Sequence, residues 1–262
     1  MAARTAAVSE LFYRRNVVLE ALRAGRRSLH RLTVAHDADP HTIAQVIAAA
    51  EARGIPIEHA YKNDLSQRLH GARHQGVILE AGPYPYVELD DVLARAATSG
   101  EPPFLLLLDL VHSPSNVGRL LRSAEATGVH GVVIQNRRAG DVTPAVVDAS
   151  MGASEHVLVA RVTNLVQTMR RLREEDIWLA GLDLGPRARP LGQVDLNLPL
   201  GLVVGNEGSG LRRLVRKNCD LLLNIPMRGN VTSLNAAIAG SVALYAAWQA
   251  RGFVGADADR DY

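Results

Sequence analysis

The sequence predicts an α/β protein in which a C-terminal parallel sheet, covered by helices on both faces, follows a small N-terminal α/β unit. From residue 104 onward, strand-length runs of Val, Ile and Leu alternate with helical segments, a pattern typical of a parallel sheet buried on both faces. Shorter runs alternate with helical segments in the first eighty residues. Between the two regions, Gly and Pro interrupt regular structure at residues 82–86.

The N-terminal unit contains two predicted helices. The first covers residues 9–25, with Ser9 as its N-cap and Gly25 as its stop signal. The second covers residues 40–54, since a Pro stands near its start and a Gly after its end. Apolar runs of strand length predict strands over residues 29–36, 55–60 and 76–81, and the polar segment 63–76 has the composition of a loop.

The chain divides into three predicted parts. Residues 1–82 form the small domain, residues 83–103 a linker with one helix-like stretch, and residues 104–262 the larger domain. Apolar runs predict the strands of the larger domain at residues 104–110, 131–135, 155–160, 177–184, 198–205 and 220–225. In open parallel sheets, ligands bind beyond the carboxyl ends of the strands, so the segments that follow these runs are the candidate site.

Three polar segments follow apolar strands and lead into helices. We refer to them as the first motif (SNVGRLLRSAEATGV, 115–129), the second motif (LVVGNEGSGL, 202–211) and the third motif (IPMRGNVTSLNAAIAGSVALY, 225–245). Such turns expose backbone N–H groups and the positive end of a helix dipole. Each motif alone also has a structural reading, as a plain loop or a helix cap. No GxGxxG fingerprint or GK[ST] phosphate loop is present.

Taken together, the three motifs resemble those of the SpoU/TrmH family of RNA ribose 2′-O-methyltransferases, in the SPOUT superfamily. RRNVVLEALRAG (14–25) and HQGVILEAGPYPY (74–86) resemble the small RNA-substrate-binding domain of that family, so the likeness covers roughly residues 10–250. The segment DASMGASEHVLVARVTNL (148–165) is similar to the RlmB-type subgroup, which modifies a guanosine of large-subunit (23S) ribosomal RNA.

The resemblance implies a SPOUT-type parallel sheet with a deep trefoil knot, S-adenosylmethionine as cofactor, an RNA substrate and a homodimer formed through the C-terminal domain. It also implies that the third-motif helix is built from small residues because backbone segments approach closely in the knot and the dimer. An ordinary Ala-rich core helix would have the same composition. By motif position, the implied catalytic residues are Asn116, Arg122, Glu207, Ser233 and Asn235, and the implied cofactor-binding residues are Gly205, Ile225, Met227 and Leu234.

The resemblance gives Arg122 the catalytic role of activating the 2′-hydroxyl. A guanidinium stays protonated at neutral pH, so we expect Arg122 to stabilise the developing alkoxide and to grip a phosphate instead. Asn116 is then expected to orient Arg122 or the ribose, and Glu207 to fix Arg122 or the nucleotide. Arg119, which follows Gly118, departs from the commoner pattern and adds a second cation near the site.

Composition bears on whether the protein has disulfides, metal sites or membrane-spanning segments. One cysteine, Cys219, argues against a disulfide or a Cys-based zinc site, and the nine His are scattered, so no metal is expected. No apolar run reaches the ~18 residues of a membrane span, and the first residues lack a secretory h-region. We therefore expect a cytoplasmic protein without a membrane partner, with an organelle transit peptide as the alternative.

Other functions remain open at this level. A transfer-RNA ribose methyltransferase or a drug-resistance ribosomal methyltransferase of the same family would carry the same three motifs. A non-catalytic RNA-binding or ribosome-assembly protein with this fold would be expected to lose the arginine or the third motif, and both are present. The missing dinucleotide fingerprint disfavours a nucleotide-dependent dehydrogenase.

Overall fold

The computed structural model describes residues 9–136 and 140–256 and divides them into two compact units. Residues up to Pro85 together with Val142–His156 form the first unit, and Tyr86–Asp141 with the residues from Val157 onward form the second. The chain therefore passes between the units at three points. Within the described ranges, no helix combines the length and apolar character needed to span a bilayer.

The first unit is built on a four-stranded sheet in the order β1-β4-β2-β3, in which only β2 and β3 are parallel. Its strands are β1 (Glu10–Tyr13), β2 (Leu29–Ala35), β3 (Ile57–Ala60) and β4 (Val77–Ala81). Its helices are α1 (Arg15–Ala24), α2 (Pro40–Ala52), α3 (Lys62–Arg68) and α6 (Pro144–Ala149). As the sequence predicts, α2 begins at Pro40, and α1 ends just before Gly25, which adopts the left-handed conformation.

Two local predictions for this unit are wrong. Residues 10–13 form strand β1 instead of the first turns of a helix, because they pair with β4 and bury Phe12. The backbone then reverses at Arg14, which has a positive φ of 70°, and α1 begins at Arg15. The segment predicted as a loop contains α3, whose Leu65 is fully buried. In both places tertiary packing decides the local structure.

A buried ion pair holds Val142–His156 within the first unit. The Arg27 guanidinium donates to both carboxylate oxygens of Glu155, at 2.8 and 3.1 Å, and both side chains are shielded from solvent. Burial raises the pKa of Glu155, while its hydrogen bonds to Arg27 favour the charged form. Removing Arg27 would leave the buried Glu155 carboxylate without the guanidinium that donates to both of its oxygens, so the pair fixes this segment to the unit.

The second unit contains a seven-stranded, wholly parallel sheet in the order β7-β6-β5-β10-β8-β11-β9. Its strands are β5 (Phe104–Asp109), β6 (Gly131–Gln135), β7 (Val159–Val162), β8 (Trp178–Leu182), β9 (Arg189–Pro190), β10 (Leu200–Gly205) and β11 (Leu221–Asn224). Its helices are α4 (Leu89–Thr98), α5 (Pro114–Ala126), α7 (Leu165–Glu174), α8 (Arg213–Lys217) and α9 (Ala236–Ala250). The predicted parallel sheet is confirmed.

Helix α4 occupies the segment predicted as a linker, and its Leu89 and Val92 pack in the core of the second unit. The strand order reverses between β5 and β10, because β6 and β7 extend the sheet on one side of β5 and the later strands extend it on the other. In open α/β sheets, ligands bind at such a switch point, outside the carboxyl ends of the strands. The deep trefoil knot stays a prediction.

Helix α9 packs against α5 and β10 through its small residues. A Cβ at Gly240 would overlap with Leu120 of α5 and press on Val204 of β10. Ala237, Ala243 and Ala247 of the same helix are fully buried. The small side chains of the third motif therefore allow this helix to approach the sheet and α5 closely. Even one added methylene would strain so tight a contact.

Candidate active site

A cavity of about 320 Å³ opens at the carboxyl ends of β8, β10 and β11. This volume is within the range of small-molecule sites, roughly 300–1,000 Å³. Its walls come from the ends of these strands, from the second-motif turn after Gly205 and from the third-motif loop after Asn224. Among the predicted site residues, those that line it are Gly205, Glu207, Ile225, Met227, Ser233 and Leu234.

The second-motif turn closes on itself at Gly205. The backbones of Asn206 and Gly210 exchange two hydrogen bonds, of 3.1 and 3.0 Å, and this brings Gly210 against Gly205. A Cβ at Gly205 would overlap with the backbone of Gly210, so only glycine fits there. The turn therefore presents backbone rather than side chains to the cavity at this point.

Asn206 joins the second motif to the turn that precedes the first motif. Its amide nitrogen donates to the carbonyl of Leu110 at 2.8 Å, and its amide oxygen accepts from the N–H of Gly208 at 3.0 Å. Leu110 has a positive φ of 57°, an uncommon conformation for a branched residue. The chain thus turns sharply after β5, and Asn206 holds the turn against the second motif.

A second link between these segments is a buried carboxylate at the end of β5. Asp109 is fully buried and accepts from the backbone N–H of Arg212 at 2.8 Å and from its guanidinium at 2.6 Å. The Arg212 guanidinium also donates to the side chain of Gln135 at 3.0 Å. Hydrogen bonds to a charged carboxylate are stronger than neutral ones, so Asp109 anchors the segment after the second-motif turn to the sheet.

A chain of side-chain hydrogen bonds connects all three motifs. Asn116 donates to the carboxylate of Glu207 at 2.6 Å, and its amide oxygen accepts from Asn235 at 3.2 Å. The amide oxygen of Asn235 accepts in turn from the N–H groups of Ala237 and Ile238, at 2.9 and 3.3 Å, and caps α9. Asn116 is buried, whereas Glu207 and Asn235 remain accessible.

The amide orientations in this chain are mutually consistent. An ionised Glu207 only accepts hydrogen bonds, so the nitrogen of Asn116 must face it and the oxygen must face Asn235. The helix N–H groups of Ala237 and Ile238 likewise require the oxygen of Asn235. Each of the two amides therefore donates once and accepts at least once, so the buried Asn116 satisfies its polar groups within the site.

Arg122 lies on α5 with its side chain exposed. It lies six positions after Asn116, which corresponds to about 240° around a helix axis. The structure therefore directs the two side chains to different faces of α5. Among the described residues, Arg122 and Arg119 form no ion pair or hydrogen bond through their side chains, and Glu207 bonds to Asn116 rather than to Arg122.

A further wall of the cavity consists of residues that the sequence did not predict as part of the site. Asp183 and Leu184, which follow β8, line it together with Arg216 of α8. Arg216 and Asp183 form an ion pair at 3.0 Å. The signal was available, because Asp183 is the first polar residue after an apolar run, as Asn206 is after β10.

The described residues support neither a reactive cysteine thiol nor a metal site. Burial raises the pKa of the Cys219 thiol to about 12, with a further contribution from Asp220, so this thiol stays protonated near neutral pH. Residues 9–136 and 140–256 contain no cluster of three or more His, Cys, Asp or Glu side chains placed to hold a metal ion.

Comparison with known families matches both parts of the chain. Residues 103–245 match the SpoU rRNA methylase family, and residues 15–87 match the RNA 2′-O ribose methyltransferase substrate-binding family. The chain is 42% identical over 241 residues to YacO of Bacillus subtilis, described as a TrmH-family tRNA/rRNA methyltransferase, covering 92% of this chain and 96% of that protein.

Two further relatives cover nearly the whole chain. The 23S rRNA (guanosine-2′-O-)-methyltransferase RlmB of Escherichia coli is 37% identical over 247 residues, covering 93% of this chain and 100% of RlmB. The crystal structure of the SpoU methyltransferase AviRb of Streptomyces viridochromogenes, in complex with AdoMet, is similar with a TM-score of 0.76 at 25% identity. That match covers 94% of this chain and 91% of AviRb.

The close approach at Gly205 yields a stability prediction. Gly205→Ala should lower the free energy of unfolding by about 1–3 kcal/mol, because the added methyl forces the backbone at Gly210 away. Chemical denaturation measures the change. Gly192→Ala is the matched control, since a Cβ at Gly192 meets no atom within 4 Å. Equal stability of the two variants would refute the tight backbone contact.

Proposed function

Because the chain belongs to the SpoU rRNA methylase family, we propose that it transfers the methyl group of S-adenosylmethionine to the ribose 2′-hydroxyl of a guanosine in large-subunit ribosomal RNA. The observation that carries the proposal is the hydrogen-bonded chain Asn235–Asn116–Glu207, which joins the three motifs beside the cavity. The likeness to RlmB over nearly its whole length supports the 23S target.

The cavity fits the cofactor on three counts. Its volume suits a nucleoside-sized ligand, glycine at Gly205 lets the backbone approach closely, and Ile225, Met227 and Leu234 supply apolar surface. These four residues would hold the cofactor, together with backbone groups of the second and third motifs. When bound, S-adenosylmethionine supplies an electrophilic methyl group on a positively charged sulfur.

The remaining site residues act on the RNA nucleotide. Glu207 and Ser233 line the same cavity with polar side chains, and we assign them to hydrogen bonds with the nucleotide that approaches the bound cofactor. Asn116 acts as a positioning residue, because it holds Glu207 from a buried position. Fixing the ribose oxygen in line with the methyl donor removes much of the entropic barrier of a bimolecular reaction.

Arg122 is the cation for the RNA backbone. It is exposed, and no carboxylate within the described part of the chain neutralises it, so its charge is available to a phosphate or to the alkoxide that forms at the 2′-oxygen. Its guanidinium stays protonated, so the hydroxyl proton leaves to a phosphate oxygen or to water rather than to Arg122.

The stripe of apolar side chains on the exposed side of α9 fits a second copy of this chain. Ile238, Val242 and Tyr245 lie at helical spacing and are 49%, 40% and 47% exposed. The opposite face of α9 is buried against α5, so the stripe is an additional apolar surface on a rigid helix. We propose that the stripe of one subunit packs against the same stripe of a second subunit in a homodimer. Such an interface is isologous, because both subunits contribute the same surface.

Replacing the catalytic arginine should separate chemistry from cofactor binding. We expect Arg122→Ala to lower the rate of methyl transfer by about 100-fold or more, because the transition-state charge loses its stabilising cation. S-adenosylmethionine affinity, measured by calorimetry, should stay within about twofold. The control is Arg170→Ala, another exposed arginine of the second unit. A variant at Arg122 with normal turnover would remove this residue from the mechanism.

The target is tested by mapping ribose methylation across total RNA from cells with and without the protein. One guanosine of the large-subunit RNA should lose its 2′-O-methyl group in the deletion strain and regain it on complementation. Restored methylation of a transfer RNA would instead assign the chain to the tRNA branch of the family. No difference at any nucleotide would refute the enzymatic proposal.

The dimer is tested with a charge on the apolar stripe. Val242→Glu should shift the protein from dimer to monomer in analytical ultracentrifugation, because burying an unpaired carboxylate in the interface is unfavourable. Arg170→Glu serves as the control for an added carboxylate elsewhere on the second unit. If the native chain sediments as a monomer, or Val242→Glu sediments as a dimer, the stripe is not the interface.

A further inference from the structure

Three exposed aromatic rings form a ladder on the first unit. The rings of His59 and His36 stack with centroids 5.7 Å apart and an interplanar angle of 23°, and the ring of Tyr61 lies 5.1 Å from that of His36. All three residues are exposed, and Tyr61 is 72% exposed, the highest value among the large apolar side chains described. A ring so open to water covers little of the protein's own core.

The pairing of strands β2 and β3 sets the positions of the three rings of the ladder. Strands β2 and β3 are parallel neighbours with Ala35 paired to Ala60, so the residues that follow them leave the sheet at the same edge. The N–H of His36 donates to the carbonyl of Ala60 at 3.0 Å, which continues the pairing by one step. The ring positions are therefore set by regular backbone pairing rather than by a free loop.

A basic cleft begins beside the ladder. Lys62 follows Tyr61 directly and lines a cavity of about 550 Å³ with Arg15 and Arg73. None of these three cations forms a salt bridge within residues 9–136 and 140–256. Asp37 and Asp39 also line the cleft, so three cations stand there against two carboxylates. The Asp39 carboxylate accepts from the N–H of His41 at 3.0 Å and caps α2.

The loop that carries Arg73 is held in place by the buried His74. One ring nitrogen, Nδ1, accepts from the N–H of Gly76 at 3.0 Å, so in the neutral ring Nε2 carries the proton and donates to Ser66 at 3.2 Å. Burial lowers the pKa of His74, which favours this neutral form. Gln75 accepts from the N–H of Arg15 at 3.0 Å and joins the loop to the start of α1.

We propose that the ladder and the basic cleft together bind a single-stranded segment of the RNA substrate, with bases stacked on Tyr61 and His36 and phosphates held by Lys62, Arg73 and Arg15. The proposal rests on the proposed function, because it names the part of that substrate which the first unit takes. Aromatic faces accept any unpaired base, whereas bases in a duplex are already stacked on each other and unavailable. Single strands therefore fit this surface and helices do not.

The test uses fluorescence anisotropy with a labelled oligouridine of about 10 nucleotides, long enough to span such a surface. Tyr61→Ala should weaken binding by about tenfold, and Tyr61→Phe should stay within about twofold of the native chain because it keeps the ring. Lys62→Gln should lower the slope of log affinity against log salt by about 0.7, as expected for one lost phosphate contact, whereas Tyr61→Ala should leave that slope unchanged.

The matched control is Lys217→Gln, which changes the other lysine of the chain, exposed on α8 of the second unit. Equal binding by Tyr61→Ala and the native chain would overturn the stacking role, and equal salt slopes for Lys62→Gln and Lys217→Gln would overturn the phosphate role. Equally tight binding of an RNA duplex would overturn the single-strand preference. The assay measures binding without turnover, so it is independent of whether the native chain methylates ribosomal RNA.

Discussion

The site depends on one buried amide. Asn116 donates to Glu207 in the second motif and accepts from Asn235 in the third, two residues that lie 91 and 119 positions away in sequence. An amide donates through its nitrogen and accepts through its oxygen, so a carboxylate or an aliphatic side chain in its place would leave a partner unsatisfied. The rest of the local architecture supports this contact: Asp109 and Asn206 anchor the second motif, and the cap at Asn235 fixes the third to α9.

Much of this arrangement is readable from the sequence. The buried strands of the parallel sheet are continuous apolar runs, and the first polar residues after them, such as Asn206, mark the carboxyl ends where the cavity opens. The small residues of α9 were ambiguous in the sequence. The overlap that a Cβ at Gly240 would create with Leu120 now gives them a packing reason.

Other features were not readable because they depend on contacts distant in the chain. Residues 10–13 have helical spacing, yet pairing with β4 makes them a strand. Val142–His156 belongs to the first unit through contacts distant in the chain. One of them is the buried pair between Arg27 and Glu155, 128 positions apart, which no local pattern signals. Likewise, no local pattern places Asp183 opposite Arg216, because their contact joins the end of β8 to α8.

The central claim is that the second and third motifs line one cofactor pocket and that Asn116 of the first motif holds them together beside it. A crystal structure with S-adenosylhomocysteine tests it most directly. We expect the ligand in the cavity bounded by Gly205 and Leu234, with Asn116 still bonded to both Glu207 and Asn235. Ligand density at another site, or an occupied cavity in which these three side chains lie apart, would contradict it.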